Sequence, residues 1–357
     1  MNQNSPSPSV FLRVAGLDLG DVDSYVCILD SATGDVLEET RIRTRPKDFQ
    51  SYFDRHKTMR VAIEAGTHSN WSSQLITTAG HEVTVANAAR VRLIHGGTRK
   101  NDRLDAEKLA RLLRYDQNLL APIQHRTLDT MQDLAVLRSR EALVKARTMH
   151  INHVRGIIKP FGARIPNCET KAFAQQASQH VPPELLPAVQ PHLEAIAMLS
   201  VQISDRGKYI VQLCRTKYPI TSILTQVHGV AEITALTYML TLEDPCRFKK
   251  SRDVAAYLGL TPGQKQSGTS NPARRITKAG DRRVRRLLVQ CAQRILGKRG
   301  IDSDLKRHGE RIASSGSRDA KRRAVVAVAR KLAVLLHCLW MTGEVYEPLR
   351  NSTKNTS

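Results

Sequence analysis

The chain has 357 residues, 41% of them hydrophobic, which is enough for more than one core, so two domains with a connecting element are expected. Aromatic residues make up only 4%, which argues against a platform that stacks successive unpaired bases on rings. The 55 Lys and Arg against 33 Asp and Glu give a net charge of +22 and a sequence pI of about 10.1, the balance of a protein whose partner is a polyanion. The excess is local: Arg274 to Arg299 holds ten Lys or Arg and a single acid, Asp281.

Six cysteines are scattered without CxxC or Cys/His spacing, so neither a zinc finger nor a disulfide framework is suggested and reduced thiols are expected. The N-terminus has no basic region followed by an apolar core, and Arg330, Lys331 and His337 interrupt the apolar stretch Ala324 to Trp340. Neither secretion nor membrane insertion is expected, and a cytoplasmic, nucleoid-associated location is.

Along the chain, residues 1–9 form a polar tail. Val10 to Leu17, Ser24 to Leu29 and Val36 to Ile42 read as strands, the last two joined by a Thr33-Gly34 hairpin turn. A short helix follows around Lys47 to Arg55, then a strand Arg60 to Glu64, a helix after Asn70, and a strand Val83 to Ala86. Three antiparallel strands followed by alternating strands and helices is the element order of an RNase H-like α/β fold over residues 10–120, although other α/β arrangements share it.

Residues 121–218 read as an all-α connector. Leu134, Leu137, Val144, Ile151, Val154 and Ile158 recur at helical spacing between Leu128 and Ile158, and a second helix runs from Pro183 to Cys214, predicting an antiparallel hairpin or coiled coil. A mainly helical domain over 219–345 and a tail over 346–357 complete the organisation.

Asp18 ends the first strand in Ala-Gly-Leu-Asp-Leu-Gly, and Glu64 ends another in Val-Ala-Ile-Glu-Ala-Gly. A carboxylate at the end of a buried strand costs desolvation unless it is paired or binds a cation. Asn101-Asp102-Arg103-Leu104-Asp105 leads into a helix, with Asp102 and Asp105 three apart on one face. Four such acids suit Mg²⁺ or Mn²⁺ and phosphodiester chemistry. Each also has a plainer reading: Asp18 can bind a turn amide, and Asp102 can be the helix N-cap with Asp105 at the third helical position. Asp21, Asp23 and Glu107 are expected to face solvent.

In the C-terminal part, Gln226-Val227-His228-Gly229-Val230-Ala231 resembles a helix-hairpin-helix turn that presents backbone amides to a DNA phosphate, though an ordinary helical connection looks the same. Further on come Tyr257-Leu258-Gly259-Leu260-Thr261-Pro262-Gly263 and Gln264-Lys265-Gln266-Ser267-Gly268-Thr269-Ser270, then Arg275-Ile276-Thr277-Lys278-Ala279-Gly280-Asp281 before an Arg-rich helix.

Together, Gly16-Leu17-Asp18-Leu19-Gly20, Ile63-Glu64-Ala65 with Trp71, Lys100 to Ala106, and this C-terminal stretch resemble the DEDD transposases of the insertion sequence 110 family, which includes Piv-type DNA invertases. The resemblance spans about Val10 to Trp340. It implies a RuvC-like N-terminal domain in which Asp18, Glu64, Asp102 and Asp105 are the metal-binding and catalytic tetrad. The family pattern places a nucleophilic serine just before the glycine of the C-terminal loop, which makes Ser267 the matching position and Ser270 the reserve. The segment Gly66 to Asn70 departs from the commonest family form, and His68 within it is expected to be structural.

The resemblance further implies a composite site, in which the Ser267 loop docks on the carboxylates and a transient phosphoserine bond to DNA forms. Arg274, Arg275, Lys278, Arg282, Arg283, Arg285 and Arg286 would bind the backbone. The partners implied are donor and target DNA, a guide-like noncoding RNA that pairs with both, and further copies of the chain as a dimer or tetramer. The large positive charge and the lack of a sequence-reading module agree with delegation of specificity to base pairing. Two other functions compete: a RuvC-like nuclease that cuts with water, which the Ser267 loop speaks against, and a non-catalytic nucleic-acid-binding protein, which the intact set of four acids and Ser267 speaks against.

Overall fold

The computed structural model describes residues 11–88, 90–91, 101–263 and 274–353. The chain divides between Thr127 and Leu128 into two compact units.

The N-terminal unit is mixed α/β. Strands β1 (Arg13–Asp18), β2 (Asp23–Asp30), β3 (Val36–Arg43), β4 (Arg60–Glu64) and β5 (Glu82–Ala86) form one sheet in the order β3-β2-β1-β4-β5. The first three pair antiparallel, and β1-β4 and β4-β5 pair parallel. The expected Thr33-Gly34 turn joins β2 to β3: Gly34 has a φ of +82°, and the Asp30 carboxylate accepts the amides of Ala32 and Thr33. Helices α1 (Pro46–Phe53) and α2 (Ser69–Thr78) cover one face, where Leu17, Ile28, Phe49, Phe53, Met59 and Ile63 are buried together.

Helix α3 (Asp102–Tyr115) covers the opposite face. A Cβ on Gly16 would stand 2.0 Å from the Ala106 carbonyl oxygen and 2.4 Å from the Ala110 nitrogen. Glycine at this point of β1 therefore lets α3 lie directly on the strand, with Ala106 and Ala110 packed against Val14, Cys27 and Leu29.

The C-terminal unit is helical. Helices α4 (Leu128–Ile158) and α6 (Leu186–Thr216) run antiparallel, with the short α5 (Phe173–His180) packed near their far end. The direction is fixed by contacts at both ends: Lys217 binds Asp129 and Asp133, each at 2.6 Å, whereas Ile151, Val154 and Ile158 pack with Val189, Leu193 and Ile196. The expected helical hairpin is thus present, and Pro191 is carried inside α6. Its near end shares a core with Leu236 and Leu240 of α7 (Glu232–Leu242).

Helices α8 (Ser251–Tyr257), α9 (Arg282–Ile295), α10 (Asp304–Ala313) and α11 (Arg318–Thr342) build the remaining core with α7. By length and composition α11 could cross a membrane, but Val328, Leu332, Leu336 and their neighbours are buried in this core. His337 is likewise buried and bonded to Ser251 and the Pro245 carbonyl. Residues 346–353, expected as the start of a tail, return onto the unit: the Tyr346 amide donates to Gln226 and that of Asn351 to Asp304. All six cysteines are free thiols.

Candidate active site and nucleic-acid interface

Asp18 is the last residue of β1 and Glu64 the last of β4. Leu17 pairs with Ile63 across these neighbouring parallel strands, so the two half-buried acids leave the sheet side by side at its carboxyl-terminal edge. Helix α3 brings its acids to the same edge. Near its C-terminus, Arg114 donates to the carbonyls of Ser31 and Ala32, beyond the start of β1, while Ala106 lies on Gly16. The helix therefore runs against β1, and its first turn, with Asp102 and Asp105, lies toward the Asp18 end.

Asn101, and not Asp102, is the N-cap: its side chain accepts the Arg103 amide at 3.2 Å. Asp102 is the first helical residue and Asp105 the fourth, which removes the capping-box alternative for this pair. Both sit in the first turn, where the helix dipole favours a carboxylate by about 0.3–1 kcal/mol. Asp102 is exposed, and Asp105 is half-buried and paired with Lys108 at 2.8 Å.

The fold brings the four acids to one edge without closing them into a cage: among the described residues, no three His, Cys, Asp or Glu side chains converge tightly enough to hold a metal ion. As a donor set, four carboxylates at the edge of a sheet fit a hard divalent cation such as Mg²⁺ or Mn²⁺ and do not fit a soft one. The neighbouring acids differ from expectation in part. Asp21 is exposed, but Asp23 is half-buried against Arg41 at 2.7 Å, and Glu107 holds Arg111 at 2.7 Å. Long antiparallel β2-β3 pairing places Arg41 across from this end of β2, a contact that spacing alone did not reveal.

His68 ties the β1-β2 turn to α2. Trp71 Nε1 donates to His68 Nδ1 at 3.1 Å, which leaves Nε2 to carry the proton toward Asp21 Oδ1, also at 3.1 Å. Both ring nitrogens are used in positioning the segment after Glu64.

Ser267 and Ser270 lie in 264–273, outside the described residues. The stem on either side is described. Pro262 bridges Ile276 antiparallel, the Gly263 amide donates to the Arg275 carbonyl at 3.0 Å, and that of Thr277 to the Thr261 carbonyl at 2.9 Å. Below these rungs two turns interlock: a Cβ on Gly259 would be 2.2 Å from the Ala279 oxygen, and one on Gly280 would be 2.0 Å from the Tyr257 oxygen. Both glycines also have positive φ, +67° and +70°, so no other residue fits either position without strain. Arg285 closes the crossing by donating to the carbonyls of Leu258 at 2.9 Å and Ala279 at 2.6 Å.

The seven cations expected to meet nucleic acid separate into two groups. Arg274, Arg275, Lys278 and Arg282 are exposed. Arg283, Arg285 and Arg286 are committed within the unit. Arg283 donates to the Leu137 carbonyl and stands 2.9 Å from Glu141, which Arg286 also approaches at 2.7 Å. Burial opposes ionisation of Glu141, yet its bonds from Arg286 and Lys145 and the charge of Arg283 hold its carboxyl below the usual value. Burial pushes the Arg283 guanidinium down. A run of arginines on one helix thus serves α9-to-α4 packing on one side and solvent on the other.

Gly229, at φ +88°, passes close to α9, where its Cβ would meet the Cys291 oxygen at 3.1 Å. The turn borders a concavity of about 570 Å³ whose basic members are Arg294, Lys298, Arg299 and His228. Sequence reasoning named neither these three cations as contacts nor Arg323, Arg330 and Lys331 on α11. The signal was present in the latter case, since cations that break an apolar run mark where a core helix meets solvent.

A mixed α/β unit with acids at its sheet edge, followed by a helical unit with a glycine-locked basic stem, fits an enzyme acting on DNA, and the comparisons with known proteins give the class as DNA transposases. Residues 15–161 match a DEDD transposase domain model of insertion sequence 110, and residues 221–308 match the model described as Transposase IS116/IS110/IS902 family. The chain is 27% identical to the "Putative transposase y4pF/y4sB" of Sinorhizobium fredii over 97% of this chain and 88% of that protein. It is 28% identical to the transposase for insertion sequence element IS1328 of Yersinia enterocolitica, over 80% of this chain and 85% of the relative. To the transposase for insertion sequence element IS1111A of Coxiella burnetii it is 25% identical, over 69% and 68%. The chain belongs to the insertion sequence 110 family of transposases, enzymes of DNA transposition.

Proposed function

We propose that this transposase cleaves and rejoins DNA with a divalent metal held by Asp18, Glu64, Asp102 and Asp105, and with Ser267 as nucleophile. The observation that carries the metal reading is the close contact at Gly16, which sets the acidic first turn of α3 at the edge where β1 and β4 end in acids. A RuvC-like character of the N-terminal unit is part of the same reading, and the sheet order supports it. The metal, when bound, lowers the cost of developing negative charge on the scissile phosphate.

The residues of this chain do the rest. The carboxylates hold charge and geometry at the sheet edge, with His68 fixing the segment after Glu64. The Gly259–Gly280 crossing and Arg285 fix the stem from which Ser267 is presented. The Ser267 Oγ–P bond forms as one P–O bond of the phosphodiester breaks; the hydroxyl proton passes to a base and the departing sugar oxygen takes one up. Rejoining reverses the exchange with the new strand's hydroxyl, so no phosphodiester is lost. Ser270 is the reserve nucleophile. Donor and target DNA are the substrates, an element-encoded guide RNA selects them by pairing, and the protein acts in the bacterial cytoplasm, with the nucleoid, as a dimer or tetramer.

The test is trapping with labelled DNA and mapping of the attached peptide. Asp18→Asn and Glu64→Gln should stop cleavage while DNA binding survives, and Ser267→Ala should stop adduct formation alone. Full recombination by a folded Asp18→Asn protein sinks the metal reading; attachment at Ser270, or cleavage with no adduct, sinks the Ser267 assignment. Sequencing of RNA co-purified from cells carrying the intact element, with a solution mass, decides the remaining partners: a monomer that recombines at normal rates after exhaustive RNase treatment needs neither.

A further inference from the structure

A cleft of about 1290 Å³ belongs to the C-terminal unit. Its lining carries nine Lys or Arg against three acids. Two of those acids are already engaged, Asp304 with Asn351 and Asp319 with Arg322. Arg274, Arg275 and Lys278 come from the stem, and Arg323, Arg330 and Lys331 from α11; all six are exposed. None of the six has an ion-pair partner among the described residues. Such a density of unpaired cations repels itself, and its field is felt locally: His308, in the same lining, is pushed below the usual histidine value by burial and then by Lys331 and Arg311.

The cations are only half of the surface. Along α11 they alternate with apolar positions on one stripe, Arg323, Ala327, Arg330 and Val334 recurring at three to four residues, with Leu335 and Cys338 continuing it. Leu260 and Leu305 are buried beneath it, so the aliphatic floor that a ligand can reach is the half-buried Ala327, Val334, Leu335 and Cys338. A duplex presents phosphate on the outside of its stack and would satisfy the cations alone, leaving this floor wet. The undescribed residues 264–273, Gln-Lys-Gln-Ser-Gly-Thr-Ser-Asn-Pro-Ala, are mostly polar, include a cation, and match neither the charge nor the floor. An unpaired strand matches both, with phosphates for the cations and base faces and sugar for the aliphatic side chains. The low aromatic content speaks against ring stacking, not against this kind of contact.

We propose that the cleft between α11 and the stem binds an unpaired DNA strand, the one presented for cutting. Pro262, Arg274 and Arg275 line it and flank the Ser267 segment on both sides, so a strand in the cleft passes next to that segment. The proposal thus rests on the transposase reading for its biological meaning, but not on Ser267 being the nucleophile.

Fluorescence anisotropy of the full-length protein with a labelled 12-nucleotide DNA single strand tests it, with the matching duplex and the ribonucleotide strand as comparisons. Binding to the DNA single strand should be the tightest. Arg323→Ala/Arg330→Ala/Lys331→Ala should weaken it by at least tenfold and lower the slope of log affinity against log salt by about 2. Val334→Ser should weaken single-strand binding several-fold, with the salt slope and duplex binding unchanged. Circular dichroism confirms folding, and the Ser267→Ala protein, run in parallel, should bind like the parent, which separates this result from the fate of the nucleophile. Equal or tighter binding of the duplex or the ribonucleotide strand, or a triple variant that binds normally, overturns the proposal. So does a triple variant whose only change is its mass in solution, since the cleft would then hold a second copy of the chain.

Discussion

The sheet edge of the N-terminal unit and the serine stem of the C-terminal unit solve one problem, the placement of a few polar groups, by different physical means. At the sheet edge the positions follow from regular secondary structure: a strand end is a strand end wherever the strand packs, and Asp18 and Glu64 inherit their places from the register of β1 on β4. In the stem the placement comes from irregular backbone, with two left-handed glycines crossing within van der Waals contact and one arginine bridging two carbonyls. The first arrangement resists single changes except where a helix touches a strand. The second depends on every member of a small set.

The strongest break is expected at the touching point. Gly16→Val places two methyl groups where α3 backbone already lies, and should destabilise the N-terminal unit by more than about 4 kcal/mol, the range of severe core changes. Hydrogen exchange should show α3 amides losing protection while those of α4 to α11 keep it. Normal protection of α3 would show that the helix can move off the strand.

Gly280→Ala adds one methyl group, 2.0 Å from the Tyr257 oxygen, to a backbone strained by about 1–3 kcal/mol, so it should cost at least that much but less than Gly16→Val, with the loss confined to the stem. The Gly263 and Thr277 amides, which form its rungs, should exchange faster, and DNA adduct formation should fall with them. Adducts at the parental level would mean that the stem does not position the serine segment.

Glu141→Gln removes the charge that faces Arg283 and Arg286 and should cost about 1–3 kcal/mol, the penalty for leaving a half-buried guanidinium without its counter-charge. The pH dependence has a definite sign. Because Glu141 is held below its ordinary value of 4.5 in the folded state, its contribution is complete above about pH 4.5 and is lost as pH falls through the lower folded value. The parent should therefore lose stability in that acid window, and Glu141→Gln should lack this component. Urea melts at several pH values measure it.

The smallest effect is expected from Arg285→Lys, about 1 kcal/mol, because one ammonium replaces a fork that spans the Leu258 and Ala279 carbonyls. Its value is diagnostic: strand transfer should drop about tenfold, one step of 1.4 kcal/mol in the barrier, with duplex binding unchanged. An equal loss of binding would return Arg285 to the group of nucleic-acid contacts.

Much of the N-terminal unit was legible because strands of alternating or continuous burial and turns such as Thr33-Gly34 are local signals. All five strands read from the sequence are present within a few residues, and the two acid-bearing strand ends fall where the pattern put them. The helical hairpin was legible for the same reason, since its apolar spacing is written along each helix. The division of labour among the arginines of 274–286 was not legible. On a helix wheel Arg282, Arg283, Arg285 and Arg286 look equivalent, and only the arrival of Glu141 from the distant α4, with the Leu137, Leu258 and Ala279 carbonyls, engages three of them within the unit, Arg286 from an exposed position.

By itself the sequence determined the element order, the net charge, the acids at strand ends and the family. Which cations stay free, how near α3 comes to β1, and that an apolar stripe on α11 faces the basic stem were decided by tertiary contact, because each depends on partners brought together from distant parts of the chain and carries no local period of its own.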